Sequence, residues 1–293
     1  MAIKPHLSLR IVFPSSRDYQ DVLLENIRKT SASGVHILYD ALSSDPEWPY
    51  VAASSEDRIA SYLGGLYEVQ SSAVMCARGG YGASDLLPLI PWQQLETKAF
   101  KWIVGFSDVT ALLCANFFKL GWKGVHGPMM GSALWDEDSN AVKVLLEFLS
   151  GSRKCFSQPV KPLTTHAAGS PEGILIGGCM SVLCSQIGTP YLPSNVDGYI
   201  LFLEDVGENP GKIMRMWNQM LQSGFVKDPA ALVLGRFTEL SDPSEEILVK
   251  ERIAKLSPFP VYELPTLGHI RENHPIIIGA RGSISEGQLQ WHL

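Results

Sequence analysis

Short apolar runs alternate with helix-length stretches along the first half of this chain. Leu7 to Phe13, Val35 to Tyr39 and Ala73 to Cys76 are rich enough in apolar residues to read as strands, while Asp21 to Ser31 and Glu56 to Glu68 carry helical spacing. That rhythm predicts β-α-β units, an α/β fold and a mostly parallel sheet over residues 1–150. A further apolar run, Trp102 to Val104, leads through Gly105-Phe106-Ser107-Asp108 into a helix with Val109, Leu112, Leu113, Asn116, Phe117 and Leu120 on one face, and Gly121 stops it. From Gly151 to Gly173 the pattern lapses, and Pro159, Pro162 and Pro171 discourage regular structure, which makes 151–172 a linker. Beyond it, Ile174 to Ile176, Tyr199 to Leu203, Ala231 to Leu234 and Ile276 to Ile278 read as strands. Met180 to Ile187 and Lys212 to Leu221 read as helices. The expectation for 173–293 is a smaller α+β domain.

Composition narrows the class. With 293 residues and 45% hydrophobic content, two medium cores are affordable. Thirty acidic against 24 basic residues, without a Lys/Arg run, argue against nucleic acid or an anionic membrane as partner. Lys4, Pro5 and His6 precede an apolar run that Arg10 breaks, too short for a signal peptide, and no stretch reaches the ~18 apolar residues of a membrane helix. Five cysteines, with Cys76, Cys114 and Cys184 among apolar neighbours, indicate reduced thiols and a cytoplasmic protein. Cys179 and Cys184 lack metal-ligand spacing, so no metal or cofactor is expected and the chemistry falls to side chains.

Several features carry that chemistry. Ser107 sits at a strand-to-helix turn, where a serine is either a displayed nucleophile or a cap for the first helical N–H groups. Arg78-Gly79-Gly80-Tyr81-Gly82 is either a tight turn or a backbone cradle offering an oxyanion donor; it is not a dinucleotide fingerprint, because Asp85 stands where the third glycine belongs. Glu204, Asp205 and Glu208 follow the Tyr199 to Leu203 strand, and Glu204 continues its interior pattern, so a buried carboxylate needing a partner is expected there. Of seven histidines, His6, His166 and His292 read as surface residues and His36 as a strand residue, leaving His126, His269 and His274 as candidate bases. The order Ser107, Glu204, His269 matches that of α/β-hydrolases, but Val109 replaces the last glycine of their nucleophile elbow.

These residues resemble those of the LD-carboxypeptidase family of serine peptidases, whose relatives include the microcin C immunity peptidases. The segments that carry the resemblance are Ala77-Arg78-Gly79-Gly80-Tyr81-Gly82, Gly105-Phe106-Ser107-Asp108-Val109-Thr110, His126-Gly127-Pro128-Met129, Ile187-Gly188-Thr189-Pro190-Tyr191-Leu192-Pro193, Leu201-Phe202-Leu203-Glu204-Asp205-Val206-Gly207-Glu208 and Gly268-His269. The resemblance implies a Rossmann-like N-terminal domain bearing the nucleophile Ser107 and a C-terminal domain bearing Glu204 and the base His269, with the site between them. It also implies oxyanion donors at the backbone of Asp108 and in the Arg78-Gly79-Gly80 turn, most directly Gly80. The chain departs from the family at Cys179, where many relatives have Asn, at Leu267 before Gly-His, and in its opening Val12-Phe13-Pro14-Ser15-Ser16.

The implied activity is removal of the terminal D-alanine from murein tetrapeptides, by a homodimer. Arg78 and Arg215 are the cations available for the terminal carboxylate, unless they serve structural ion pairs. One alternative keeps the triad and changes the substrate to aminoacyl-nucleotide amides. Relatives of that kind carry a longer aromatic segment between serine and glutamate than the 96 residues here. Another is a non-catalytic muropeptide-binding protein in which Ser107 caps a helix. Trp135 and Trp217 are each assignable to an interface or to a core.

Overall fold

The computed structural model describes residues 7–17, 20–42, 44–46, 48–164 and 169–293; His6 and His166 lie outside them. The chain forms two compact units, Met1–Arg153 with His274–Ile276, and Lys154–Asn273 with Ile277–Leu293.

In the first unit the elements are β1 (Ser8–Val12), α1 (Gln20–Ala32), β2 (His36–Leu38), α2 (Ser55–Tyr67), β3 (Ala73–Cys76), α3 (Ala83–Leu86), α4 (Trp92–Leu95), β4 (Trp102–Gly105), α5 (Thr110–Leu120), β5 (Gly124–His126) and α6 (Asn140–Leu149). Strands β2, β1, β3, β4 and β5 pair in parallel in that order. The buried run Ala73-Val74-Met75-Cys76 shows why: a strand covered on both faces is apolar at every position. Helix boundaries follow local chemistry. Ser54 accepts the N–H of Asp57 at the start of α2, Ser139 accepts that of Val142 at the start of α6, and Gly121 ends α5 in the left-handed region at φ 68°.

The loops after β1 and β3 are tied together by one buried cation. Arg58, on α2 and only 1% exposed, donates from Nη1 to the carbonyls of Pro14 at 2.9 Å and Gly82 at 2.7 Å, and its Nη2 reaches Asp85 at 3.4 Å.

The second unit holds β6 (Cys155–Pro159), β7 (Lys161–Pro162), β8 (Glu172–Cys179), α7 (Met180–Gln186), β9 (Ile200–Val206), α8 (Pro210–Gln222), β10 (Ala231–Thr238), α9 (Ser244–Leu256) and β11 (Val261–Glu263). After β12 (Ile276–Ile278), which begins in the segment returning to the first unit, come β13 (Arg281–Ser285) and β14 (Gln288–His292). The first sheet has the order β12-β5-β4-β3-β1-β2 and the second β6-β14-β13-β8-β9-β10-β11-β7. In the second, β8, β9, β10 and β11 are parallel and connected through α7, α8 and α9, while β13, β14, β6 and β7 add antiparallel pairs. Helices are therefore interleaved with the parallel strands rather than segregated from them.

Residues 151–172 differ from the expected unstructured linker, because β6 and β7 lie within them. Both strands stand at sheet edges, where a proline costs no ladder hydrogen bond, so Pro159 and Pro162 do not prevent pairing. Trp135 and Trp217 are core residues, 5% and 0% exposed. No helix among the described residues is long and apolar enough to cross a membrane.

Replacing Arg58 with Met is expected to destabilise the first unit by about 3 kcal/mol, since two buried carbonyls lose a charged donor. Urea denaturation of the full chain measures it, and a midpoint equal to that of the wild type would remove Arg58 from this role.

Candidate active site

Ser107 stands one residue past β4, after Phe106, at the carboxyl edge of the parallel sheet, where doubly wound folds present ligand-binding groups. Its φ is +62°, a left-handed conformation that a residue with a Cβ adopts at a cost of about 1–2 kcal/mol. A 3-10 turn, Ser107–Val109, then runs into α5, and neither start has a side-chain cap; Ser107 is not capping the helix. The room that the α/β-hydrolase elbow gains from its last glycine is supplied here by Gly105, where a Cβ would lie 2.9 Å from the Cβ of Val109.

The glycine-rich turn presses on the serine. A Cβ on Gly79 would stand 2.7 Å from the Ser107 Cβ, 3.0 Å from its Oγ and 3.4 Å from the Asp108 nitrogen, so only glycine fits. Gly80 has φ +108°, and a Cβ there would strike the Ser16 hydroxyl. Ser16 organises this turn, its N–H donating to the Gly79 carbonyl at 3.3 Å and its Oγ accepting from Tyr81 N at 3.0 Å. Arg78, half-buried, donates to the Arg17 carbonyl at 3.2 Å. The Asp108 side chain points into the protein and accepts the Ala83 N–H at 2.8 Å, joining the Ser107 turn to α3. Burial raises the Asp108 pKa, against the Ala83 amide and the Ser15 hydroxyl, which lower it. Ser107, Asp108, Gly79 and Gly80 are thus brought together within the first unit.

The second unit brings together Glu204 and His269. Glu204 lies in β9 rather than beyond it and is fully buried. Its Oε2 meets the His269 Nδ1 at 2.7 Å, and Oε1 has no hydrogen-bond partner among the described residues, so the imidazole compensates the buried charge. With Nδ1–H donating to Glu204, Nε2 is the basic nitrogen.

Backbone irregularities make that contact possible. On β10, Leu234 pairs with Leu203 and Phe237 with Asp205, so two residues, Gly235 and Arg236, stand opposite Glu204 in a bulge. The loop that carries His269 crosses this bulge closely: the Arg236 N–H donates to the Leu267 carbonyl at 2.8 Å, and a Cβ on Gly235 would lie 2.7 Å from that same oxygen. Gly268 has φ +132° and packs on Arg236, while its N–H donates to Asn273 Oδ1 at 3.0 Å.

Burial acts to lower the His269 pKa, but the charge and hydrogen bond of Glu204, with Asp205 and Glu239 adding to them, raise it above the ordinary 6.5. The stability this pair contributes is complete below pH 6.5 and is lost as pH rises through the elevated folded value. Asp205 accepts the Ser181 N–H at 2.8 Å and is raised by burial and by Glu204. Cys179 lies against it, Sγ to Oδ1 3.4 Å, and burial holds its thiol protonated.

Three further described histidines make other contacts. His126 is buried at the end of β5 with its ring edge-on to Phe106, His274 contacts Asn140 Nδ2 at 3.4 Å, and His36 contacts Ser8 Oγ at 3.3 Å. Arg215 is exposed on α8. Among the described residues no group of His, Cys, Asp and Glu has the arrangement of a metal site.

Comparison with known proteins identifies the family. The family profile described as the LD-carboxypeptidase N-terminal domain matches residues 9–127, and the LD-carboxypeptidase C-terminal domain matches residues 172–284. The chain belongs to the LD-carboxypeptidase family. The murein tetrapeptide carboxypeptidase of Pseudomonas aeruginosa is 30% identical, covering 96% of this chain and 94% of its own. The microcin C7 self-immunity protein of Escherichia coli is 23% identical over 64% of this chain and 62% of its own. The crystal structure of muramoyltetrapeptide carboxypeptidase from Oxalobacter formigenes superposes with a TM-score of 0.84 at 25% identity, covering 98% of this chain and 99% of that one. This LD-carboxypeptidase is therefore a serine-type hydrolase by family. The motif reading did not single out Arg58, Ser16, Gly235 or Asn273 as supports of its candidate site. Gly235, a glycine inside an apolar strand run, was the one sequence signal of a bulge.

Titration of His269 by NMR is expected to give a pKa above 6.5, and Glu204→Gln is expected to lower it, since burial remains while the opposing charge is gone. An unchanged titration in the variant would show that the pair does not form in solution.

Proposed function

We propose that this LD-carboxypeptidase releases the terminal D-alanine of murein tetrapeptides during cell-wall recycling, through a triad of Ser107, His269 and Glu204. The observation that carries this reading is the contact of 2.7 Å between the His269 imidazole and a carboxylate with no solvent exposure, which sets the tautomer a general base needs.

Ser107 Oγ attacks the carbonyl carbon of the L-D peptide bond while His269 Nε2 takes its proton. The oxyanion is held by the N–H groups of Asp108 and Gly80, with Gly79 keeping the turn close enough to act. Loss of one such donor costs about 3 kcal/mol of transition-state stabilisation. The C–N bond then breaks, His269 returns the proton to the departing D-alanine amine, and water resolves the acyl-enzyme by the same route in reverse. Arg78, in the same turn, supplies the cation for the substrate's terminal carboxylate. Glu204, hydrogen-bonded to Nδ1, steadies the imidazolium. The chemistry calls on no metal or cofactor.

The Pseudomonas aeruginosa relative, similar over nearly the whole of both chains, supports the murein substrate over the nucleotide amides suggested by the microcin relative, whose similarity covers less of each chain. The proposed setting is cytoplasmic and the proposed assembly a homodimer; light scattering of the purified protein at twice the chain mass of 32.2 kDa is the expected result, and a single chain mass would refute the dimer.

Incubation with L-Ala-γ-D-Glu-meso-diaminopimelate-D-Ala followed by mass spectrometry tests the activity. Wild type is expected to release D-alanine, and Ser107→Ala, folded, to lose at least about a thousandfold in kcat. Turnover of an aminoacyl sulfamoyl nucleotide with none of the tetrapeptide would replace this substrate assignment; equal turnover by the variant would remove Ser107 from the mechanism.

A further inference from the structure

The bulge opposite Glu204 is held by a cluster of charges that the proposed reaction does not use. Glu246, in the first turn of α9, binds Arg236 through both carboxylate oxygens, with Nε at 2.9 and 3.1 Å and Nη2 at 3.0 Å. The same carboxylate accepts the backbone N–H of Phe237 at 3.1 Å. Lys250, one turn further along α9 and only 5% exposed, bridges Glu246 and Glu263 at 2.8 Å each. Burial acts to raise the Glu246 pKa, but Arg236, Lys250 and the Phe237 amide lower it further, so the group remains a carboxylate.

A bulge interrupts the ladder, and the amides at it need acceptors outside the ladder. Here the two successive amides go in different directions: Arg236 N–H to Leu267 of the base-bearing loop and Phe237 N–H to Glu246. Since Gly268 packs on the backbone and Cβ of Arg236, movement of this peptide moves the residue next to His269.

We propose that Glu246 is a positioning residue for the base, fixing the His269 loop over Glu204 through the Arg236–Phe237 bulge. The role rests on the reading of His269 as base, and it makes α9 part of the functional unit although α9 bears no triad residue.

The test uses the full chain with Glu246→Gln, which keeps the size of the side chain but loses the charge. Arg236→Lys, which keeps the charge but loses the two-pronged contact, serves as the second variant. Nitrogen-15 shifts of the His269 imidazole, recorded above its pKa, report the tautomer without substrate. Wild type is expected to show the Nδ1–H form alone, and both variants a mixture with the Nε2–H form. For tetrapeptide hydrolysis kcat is expected to fall about tenfold with KM changed less than about twofold. If Glu246→Gln does not fold, Arg236→Lys decides. Wild-type tautomer shifts in the folded variants would overturn the proposal whatever happens to activity. A wild type inactive on the tetrapeptide would instead sink the functional reading, with the imidazole shifts still deciding whether Glu246 positions His269.

Discussion

The left-handed backbone at Ser107 is the constraint around which the first unit is arranged. An L-residue does not stay at φ +62° unless its surroundings hold it there. Two groups hold it: Gly79 fills the space on one side so closely that a methyl group would collide with the Ser107 Cβ. On the other side the Asp108 carboxylate is drawn inward to the Ala83 amide. Each of these depends on a neighbour. The Gly79 turn is laced to the β1 loop by Ser16, and Arg58 spans the same two loops from beneath with hydrogen bonds to Pro14 and Gly82. A serine that merely capped α5 would need none of this, because an extended backbone at the cap position is the ordinary solution.

The second unit meets a different constraint, a carboxylate with no exposure. A buried charge is tolerated when a hydrogen-bonding partner of opposite tendency is built beside it, and His269 is that partner. Its loop carries no regular structure, so its placement comes from backbone contact: glycines at 235 and 268 let the loop lie against β10, and Asn273 takes the Gly268 N–H. The same contact couples His269 to the bulge, and hence to α9. Asp205, next to Glu204 in sequence, is turned to the amide of Ser181 at the start of α7. Adjacent strand residues point to opposite faces, which lets two neighbouring carboxylates meet an imidazole and a helix terminus respectively.

Much of this was legible in the chain. Parallel strands buried on both faces leave continuous apolar runs, which is why β1, β3 and β9 stood out, and Ser107, Glu204 and His269 were singled out by motif and by resemblance. What escaped has physical reasons. β6 and β7 were hidden by prolines that edge positions permit. α9 leaves Ile247 and Leu248 61% and 63% exposed and buries Lys250, so its apolar spacing does not mark its inner face. The three-residue β11 is too short to show a period. Among the site supports, Arg58 and Glu246 look like surface charges in a sequence. Only the folded chain shows that Arg58 takes up two loop carbonyls and Glu246 the bulge amide of Phe237.

The two units carry different kinds of cost. One stores backbone strain of about 1–2 kcal/mol at a single serine; the other maintains a buried carboxylate, several kcal/mol if left uncompensated. A domain stable by only about 5–15 kcal/mol has little room for both. Separate cores let each burden be met by local means, glycine approach and an inward-turned aspartate in one case, an imidazole and an ion-paired bulge in the other. Ser107 stands past the carboxyl end of β4, and Glu204 stands within β9 opposite the bulge of β10. In both places the ladder is interrupted, by its end at β4 and by the bulge at β10, and unusual backbone conformations cost the sheet least there. The strain at Ser107 and the charge at Glu204 are therefore placed where the fold is most tolerant of each.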